Sequence, residues 1–192
     1  MKINNLIIAG SCWEYGKSKG EIDENMLPND PSLFASSKLT ILSFLKELSK
    51  NNKLRYKWVR IFYAYGPNQK KESLIPSIRE NIFKKQNLIK NPCSSQDFIY
   101  IDDVANGIIK LTKENIDSGI YNLGSNKLVS VGYIANFIYK YYGLDIPYPN
   151  LIENNKGSWA NISKLQNSTD FQINTNIEIG LRKTLYYLDK KI

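Results

Sequence analysis

Four stretches of the 192-residue sequence hold side chains whose types and spacing could do chemistry. "GSCWEYG" puts a hydroxyl (Ser11), a thiol (Cys12) and a phenol (Tyr15) in one run. "DPSLFASSK" sets Phe34 and Lys38 four residues apart, a spacing that shares one face of a helix. "RIFYAYGP" carries Tyr63 and Tyr65, and "QDFIYIDDV" carries Gln96 with the adjacent carboxylates Asp102 and Asp103. There is no histidine, so the commonest general base and metal ligand is missing. Ser-His-Asp and Cys-His catalysis are excluded. The cysteines Cys12 and Cys93 are too few for a structural zinc site. Proton chemistry must use Tyr, Lys, Asp, Glu or Ser. Cys12 has no neighbouring cation to activate it. Asp102 and Asp103 suit the start of a helix better than an acid–base pair.

The elements that must position these residues can be read from periodicity. Ile3 to Gly10 is a nearly continuous apolar run, as in a parallel strand covered on both faces. Gly16 to Asp30 is polar and reads as a loop. Asp30 and Pro31 suit an N-cap and first helical residue. Leu33, Phe34, Leu39, Ile41, Leu42, Leu45 and Leu48 then recur at helical spacing to about Lys50. Lys57 to Tyr63 reads as a strand, and Ser73 to Gln86 as a helix interrupted by Pro76. Phe98 to Ile101 is a short strand running into a helix capped by Asp102 or Asp103, with Val104, Ile108, Ile109 and Leu111 on its apolar face. Gly119 to Asn126 is a further strand. Ser130 caps a helix bearing Ile134, Phe137, Ile138 and Tyr141. A Thr175–Glu178 capping box opens the last helix, with Leu181, Leu185 and Leu188 as its stripe. Strands alternating with helices predict an α/β fold with a largely parallel sheet.

Composition narrows the class. A hydrophobic content of 42% fits a folded protein and not a disordered one. No apolar run approaches the roughly 20 residues of a membrane helix. "MKINNLIIAGSC" reads as a buried strand, not a signal peptide, and two cysteines fit a cytoplasmic protein with reduced thiols. The net charge is +8, but lysines occur singly or in short pairs such as Lys70–Lys71, beside 22 asparagines. That is a general Lys/Asn bias, not the basic stripe of a nucleic-acid binder, and neither nucleic acid nor membrane is expected as a partner.

Taken in order, "GSCWEYG", "FASSK", "YGP", "QDFIYIDDV", "GIYNLGSN" and the closing "EIGLRKTLYYL" resemble the nucleotide-sugar epimerase/dehydratase family, the extended short-chain dehydrogenases. The resemblance covers nearly the whole chain. It implies the C-terminal part of a Rossmann-like parallel sheet with the active-site helix (residues 1–72). The small α/β substrate portion follows (residues 73–192). It implies a nicotinamide cofactor, NAD or NADP, against Gly10, Lys38 and Phe62, and a nucleotide-sugar substrate against Tyr63, Leu74, Ile75 and Gln96. In the family a Tyr phenol is the acid or base toward the sugar. The Lys ammonium lowers the phenol's pKa and holds the cofactor ribose, and a Ser or Thr hydroxyl positions the substrate oxygen. Ser11 and Lys38 match these catalytic positions.

Phe34 stands at the tyrosine position and has no ionisable proton. Tyr63 stands where many members have Asn. Gln96 stands where Arg is usual, and a neutral amide cannot replace a guanidinium fork. No "GxxGxxG" turn occurs in the sequence. By resemblance the chain corresponds to the C-terminal portion of a longer enzyme. It is expected to be weakly active or inactive alone and not to bind the dinucleotide by itself. The alternatives are half of a split enzyme, completed by a glycine-rich partner chain, or a non-catalytic nucleotide-sugar-binding protein. A homodimer is a further assembly the resemblance allows.

Overall fold

The computed structural model describes residues 4–52, 54–84, 89–113, 115–152 and 156–190. Three parallel strands form the main sheet in the order β1 (Asn5–Ser11), β3 (Arg55–Ile61) and β6 (Gly119–Leu123). The register sets Gly10 beside Arg60 and Ser11 beside Ile61. Ile3 lies outside the described residues. The strand expected to be covered on both faces is only half-buried along most of its length. The reason is its position: β1 is the outer strand, and among the described residues it pairs with β3 alone.

A second parallel pair joins β2 (Gly20–Ile22) to β8 (Ser158–Ala160). Gly16 to Asp30 is therefore not all loop. A three-residue strand starting with glycine is too short to show a period in the sequence. A third sheet runs β4 (Tyr63–Tyr65), β5 (Ser95–Tyr100), β7 (Leu128–Ser130), with β4–β5 parallel and β5–β7 antiparallel.

Helix α1 spans Leu33–Asn52. It does not start at Asp30. That residue has φ 51°, outside the helical region, and pairs with Lys17. Ser32 Oγ instead accepts the Ala35 N–H at 3.3 Å. Helix α2 (Leu74–Lys84) contains Pro76 without interruption, because the proline lies in the first turn, where a missing N–H costs nothing. The expected end at Gln86 lies outside the described residues.

Helix α3 (Ile101–Lys110) has Tyr100 at its N-cap with no side-chain cap bond, so neither Asp102 nor Asp103 caps it. Helix α4 (Val131–Tyr141) is capped by Ser130 as expected, its Oγ accepting from the Tyr133 N–H at 3.1 Å. After the short α5 (Ser163–Ser168), helix α6 (Ile177–Asp189) is capped by Asn176, not Thr175. The Thr175 N–H is already committed to Asp103 Oδ2 at 3.0 Å.

Three apolar clusters hold these layers. One lies around Val59, Phe62, Ile99, Leu111, Tyr121 and Phe171. A second lies around Tyr65, Ile75, Ile78, Ile134, Leu181 and Leu185. A smaller one seats α1 on the main sheet through Leu42, Leu45, Tyr56 and Trp58. The outer face of α1 is open: Leu33 is 92% exposed, Phe44 64% and Ile41 51%. By spacing alone, Leu33 and Ile41 read as core.

Candidate functional site

Ser11 ends β1 and caps a 3-10 turn over Cys12–Tyr15. Its Oγ accepts the Trp13 N–H at 3.2 Å, which leaves the hydroxyl proton to be donated elsewhere. The Ser11 N–H donates to Glu14 Oε1 at 2.8 Å, closing a capping box. Glu14 is fully buried. It also accepts from Trp58 Nε1 at 2.9 Å and from Arg60 Nε at 2.8 Å. A buried carboxylate persists only when paired and hydrogen-bonded, and Glu14 meets both conditions. A Cβ on Gly10 would come within 2.3 Å of Trp58 Nε1 and 2.6 Å of Glu14 Oε1, so glycine is required there by this contact.

Arg60 lies over the Tyr15 ring, 4.2 Å from its centroid. The Tyr15 hydroxyl donates to Asn122 Oδ1 at 2.6 Å. Burial pushes the Tyr15 phenol up to about 12, against the opposing pull of Arg60. Tyr15 is thus part of the foundation, its hydroxyl committed to Asn122.

Along α1, Phe34 is 52% exposed and meets Trp13 edge-on, with ring centroids 6.1 Å apart at 87°. One turn later Lys38 Nζ donates to the Ala9 carbonyl at 2.9 Å. Ser11, Phe34 and Lys38 are thereby gathered at the carboxyl end of β1, where open α/β sheets bind ligands. Cys12 lies in the same place. Burial first, then the Asp97 charge, pushes its thiol up to about 12, so it remains protonated and is no nucleophile at neutral pH.

Beside this corner lies a cleft of about 560 Å³, lined by the Gly16–Lys19 loop, Tyr63, Gln96 and the Lys156–Ser158 segment. A smaller space of about 290 Å³ adjoins it, lined by Cys12, Trp13, Ser32 and Tyr63. Lys17 and Tyr63 border both. Burial raises the Tyr63 phenol, which favours its neutral, proton-donating form. Of the other expected contacts, Ile75 and Phe62 are enclosed in the apolar clusters and Leu74 is half-buried. None of the three lines the cleft.

Asp97 escaped the sequence reading. Its Oδ1 accepts from the Ser125 N–H and Oγ–H, both at 2.6 Å, and its Oδ2 from the N–H groups of Asn126 and Ala160 at 3.1 and 3.0 Å. Burial pushes its carboxyl up, while these four donors pull the other way. The group ties β5 to the turn after β6 and to β8, behind the wall of the cleft.

A nicotinamide dinucleotide is the cofactor such a site implies. The residues present fit only part of one. Lys38 Nζ, bonded to the Ala9 carbonyl, brings an ammonium to the end of β1, but no glycine-rich strand-to-helix turn occurs in the sequence to cradle a pyrophosphate. No group of acidic or cysteine side chains among the described residues could hold a metal ion.

The class this architecture defines is the extended short-chain dehydrogenase fold. The structure matches a UDP-glucuronic acid 4-epimerase from Bacillus cereus, a Tyr→Phe variant solved with UDP-4-deoxy-4-fluoro-glucuronic acid and NAD. The TM-score is 0.87 at 23% identity, covering 100% of this chain and 63% of that one. It also matches RMD from Pseudomonas aeruginosa solved with NADPH, with TM-score 0.85 at 18% identity, covering 98% of this chain and 67% of that one. The sequence profile of the NAD dependent epimerase/dehydratase family matches residues 1–124, and the chain belongs to that family. An uncharacterized UDP-glucose epimerase of Bacillus subtilis is 25% identical over 197 residues, covering 97% of this chain and 61% of that protein. The chain therefore spans about three fifths of the length of the curated relatives it matches.

Proposed function

We propose that the chain binds a nucleotide sugar at the cleft beside β1 and has little or no epimerase or dehydratase turnover on its own. The observation that carries this reading is the corner itself. Ser11 and Lys38 converge on the end of β1, while the position that would present a phenol presents the Phe34 ring, packed on Trp13. A hydroxyl for positioning and an ammonium for holding remain, and the proton carrier is missing. General acid–base catalysis contributes about 10²- to 10⁴-fold, so its loss accounts for weak chemistry without loss of binding. The cofactor class of the family's chemistry is NAD or NADP, which when bound supplies and accepts hydride. Lys38 is the residue of this chain that would meet it.

Calorimetric titration with UDP-glucose, UDP-glucuronic acid and other nucleotide sugars tests the binding. Saturable heat with at least one is expected, and none with any would overturn the reading. Tryptophan fluorescence titration with NADH is expected to show no tight binding. Tight binding accompanied by turnover would equally overturn it.

A second reading is one half of a two-chain enzyme, favoured by the outer position of β1. Its Ala9 is exposed, and the edge of β1 that pairs with no strand among the described residues is a template for a further one. Light scattering and urea unfolding decide this reading. A monomer that unfolds cooperatively removes its motive.

A further inference from the structure

Beside α1, on the face of the main sheet where that helix packs, lies a groove of about 530 Å³. Leu39, Leu42 and Lys46 of α1 form one wall. The sheet contributes Tyr56 and Arg60, which share one face of β3, and Ile120 of β6. The groove shares no lining residue with either space at the end of β1. Its buried polar side chains have donors left over. Tyr56 is 8% exposed, yet among the described residues its hydroxyl has no hydrogen-bond partner. Burial raises the Tyr56 phenol, which keeps it in the proton-bearing form. Arg60 is 3% exposed. Its Nε donates to Glu14, and its Nη1 has no partner among the described residues. Buried donors are satisfied in the great majority of cases, so two exceptions in one groove call for an acceptor there.

The charges point the same way. Lys46 is exposed on α1 and enters no ion pair or hydrogen bond among the described residues. Lys164 Nζ gives one of its three N–H groups to the Ile120 carbonyl at 2.7 Å. Glu24 supplies a carboxylate to the lining, and its Oε1 is occupied by the Asn122 N–H at 2.8 Å. With Arg60 balanced by Glu14, Lys46 and Lys164 outweigh Glu24 by a single positive charge. A concave site with apolar walls and a few convergent donors is the usual form of a small-molecule site.

We propose that this groove is a second ligand site, taking a small monoanion: a carboxylate carried on an apolar body. The Tyr56 hydroxyl and the Lys46 ammonium donate to the carboxylate. Arg60 Nη1 is enclosed, so it acts on the bound charge through the low-dielectric interior and not by contact. The apolar body lies against Leu39, Leu42 and Ile120. The assignment is independent of the nucleotide-sugar reading of the cleft beside β1.

The test is an amide NMR titration of the full chain with three probes: benzoate, its neutral counterpart benzamide, and acetate, which has the charge without the ring. Benzoate should shift the amides of Ser43, Tyr56 and Ile120 saturably. Benzamide and acetate should each bind roughly tenfold more weakly. Lys46→Ala and Tyr56→Phe, which leave the Glu14–Arg60 pair in place, should each weaken benzoate by roughly three- to tenfold. Lys71→Ala, outside the groove, should change nothing. Shifts at Lys19 and Gln96, or at Phe34 and Phe44, in place of the groove amides would overturn the proposal, as would no shift at all. Equal binding of benzoate and benzamide would overturn it too, by removing the role of charge. So would unchanged affinity in both groove variants, or an equal loss with Lys71→Ala, which would show an effect of net charge alone. The nucleotide-sugar reading is decided separately, by the calorimetric titrations above.

Discussion

Beneath the end of β1, Glu14 is enclosed with Trp58, Arg60 and the Ser11 backbone, and each acceptor oxygen has a donor. One layer above, along α1, Leu33, Phe34, Ile41 and Phe44 stand largely in solvent. The two regions meet at the contact of Trp13 with Phe34 and obey different rules. In the lower one a substitution leaves a charge or a donor without water, so the residue types are dictated by desolvation. In the upper one a side chain can change with little consequence for folding. Phe34 belongs to the upper region. The fold therefore tolerates a change of side chain at position 34, while the buried network beneath it stays intact.

The contrast can be broken experimentally, beginning in the buried region. Glu14→Ala leaves Arg60 buried without its carboxylate and should cost about 3–5 kcal/mol in urea unfolding. A cost below about 1 kcal/mol would mean that this network does not hold the corner together. Asp103→Ala is the next step. Asp103 is buried in α3 and accepts the N–H groups of Asn174 and Thr175 at 3.1 and 3.0 Å, so its loss should cost about 2 kcal/mol by the same measurement. Phe34→Tyr and Ile41→Ser probe the open face and should each stay within about 0.5 kcal/mol of the parent. A larger loss with Ile41→Ser would show that the α1 face is covered in solution.

The last expectation is an absence of reaction. With its thiol pushed up to about 12, Cys12 is a thiolate in only roughly one molecule in ten thousand at pH 8. Because the pKa is raised, reactivity grows as pH rises toward that value and stays low below it. Iodoacetamide at pH 8 should label Cys93 before Cys12, as read by peptide mass spectrometry. Faster labelling of Cys12 would place it in the open region.

What could be read from the sequence divides along the same line. The Ser130 cap and the β1–turn–α1 order were legible, because they depend on residue types at fixed local offsets. For Ser11, Phe34 and Lys38 the expectation came from an ordered set of motifs, and no single motif carried it. The capping box at Thr175 was misread. Thr175 has the right type and spacing, but its N–H is engaged by Asp103, seventy-two positions earlier in the chain. Asp97 was passed over for the same reason, since its partners come from distant parts of the chain. The helical spacing of the apolar positions of α1 was legible, but periodicity marks which residues share a face and not whether anything covers it. Residue type alone does not separate Tyr15 from Tyr63, whereas the fold bonds one to Asn122 and sets the other at the border of both open spaces.

The four donors gathered by Asp97 have a consequence in time as well as in energy. Three of them are backbone amides, of Ser125, Asn126 and Ala160, and all are released by one event, the departure of a single carboxylate. Amides that share one opening motion exchange their protons with solvent at a common protection, whatever their separation along the chain. In deuterium these three should therefore behave as one unit, reporting each moment at which the β8 wall of the cleft swings away from β5.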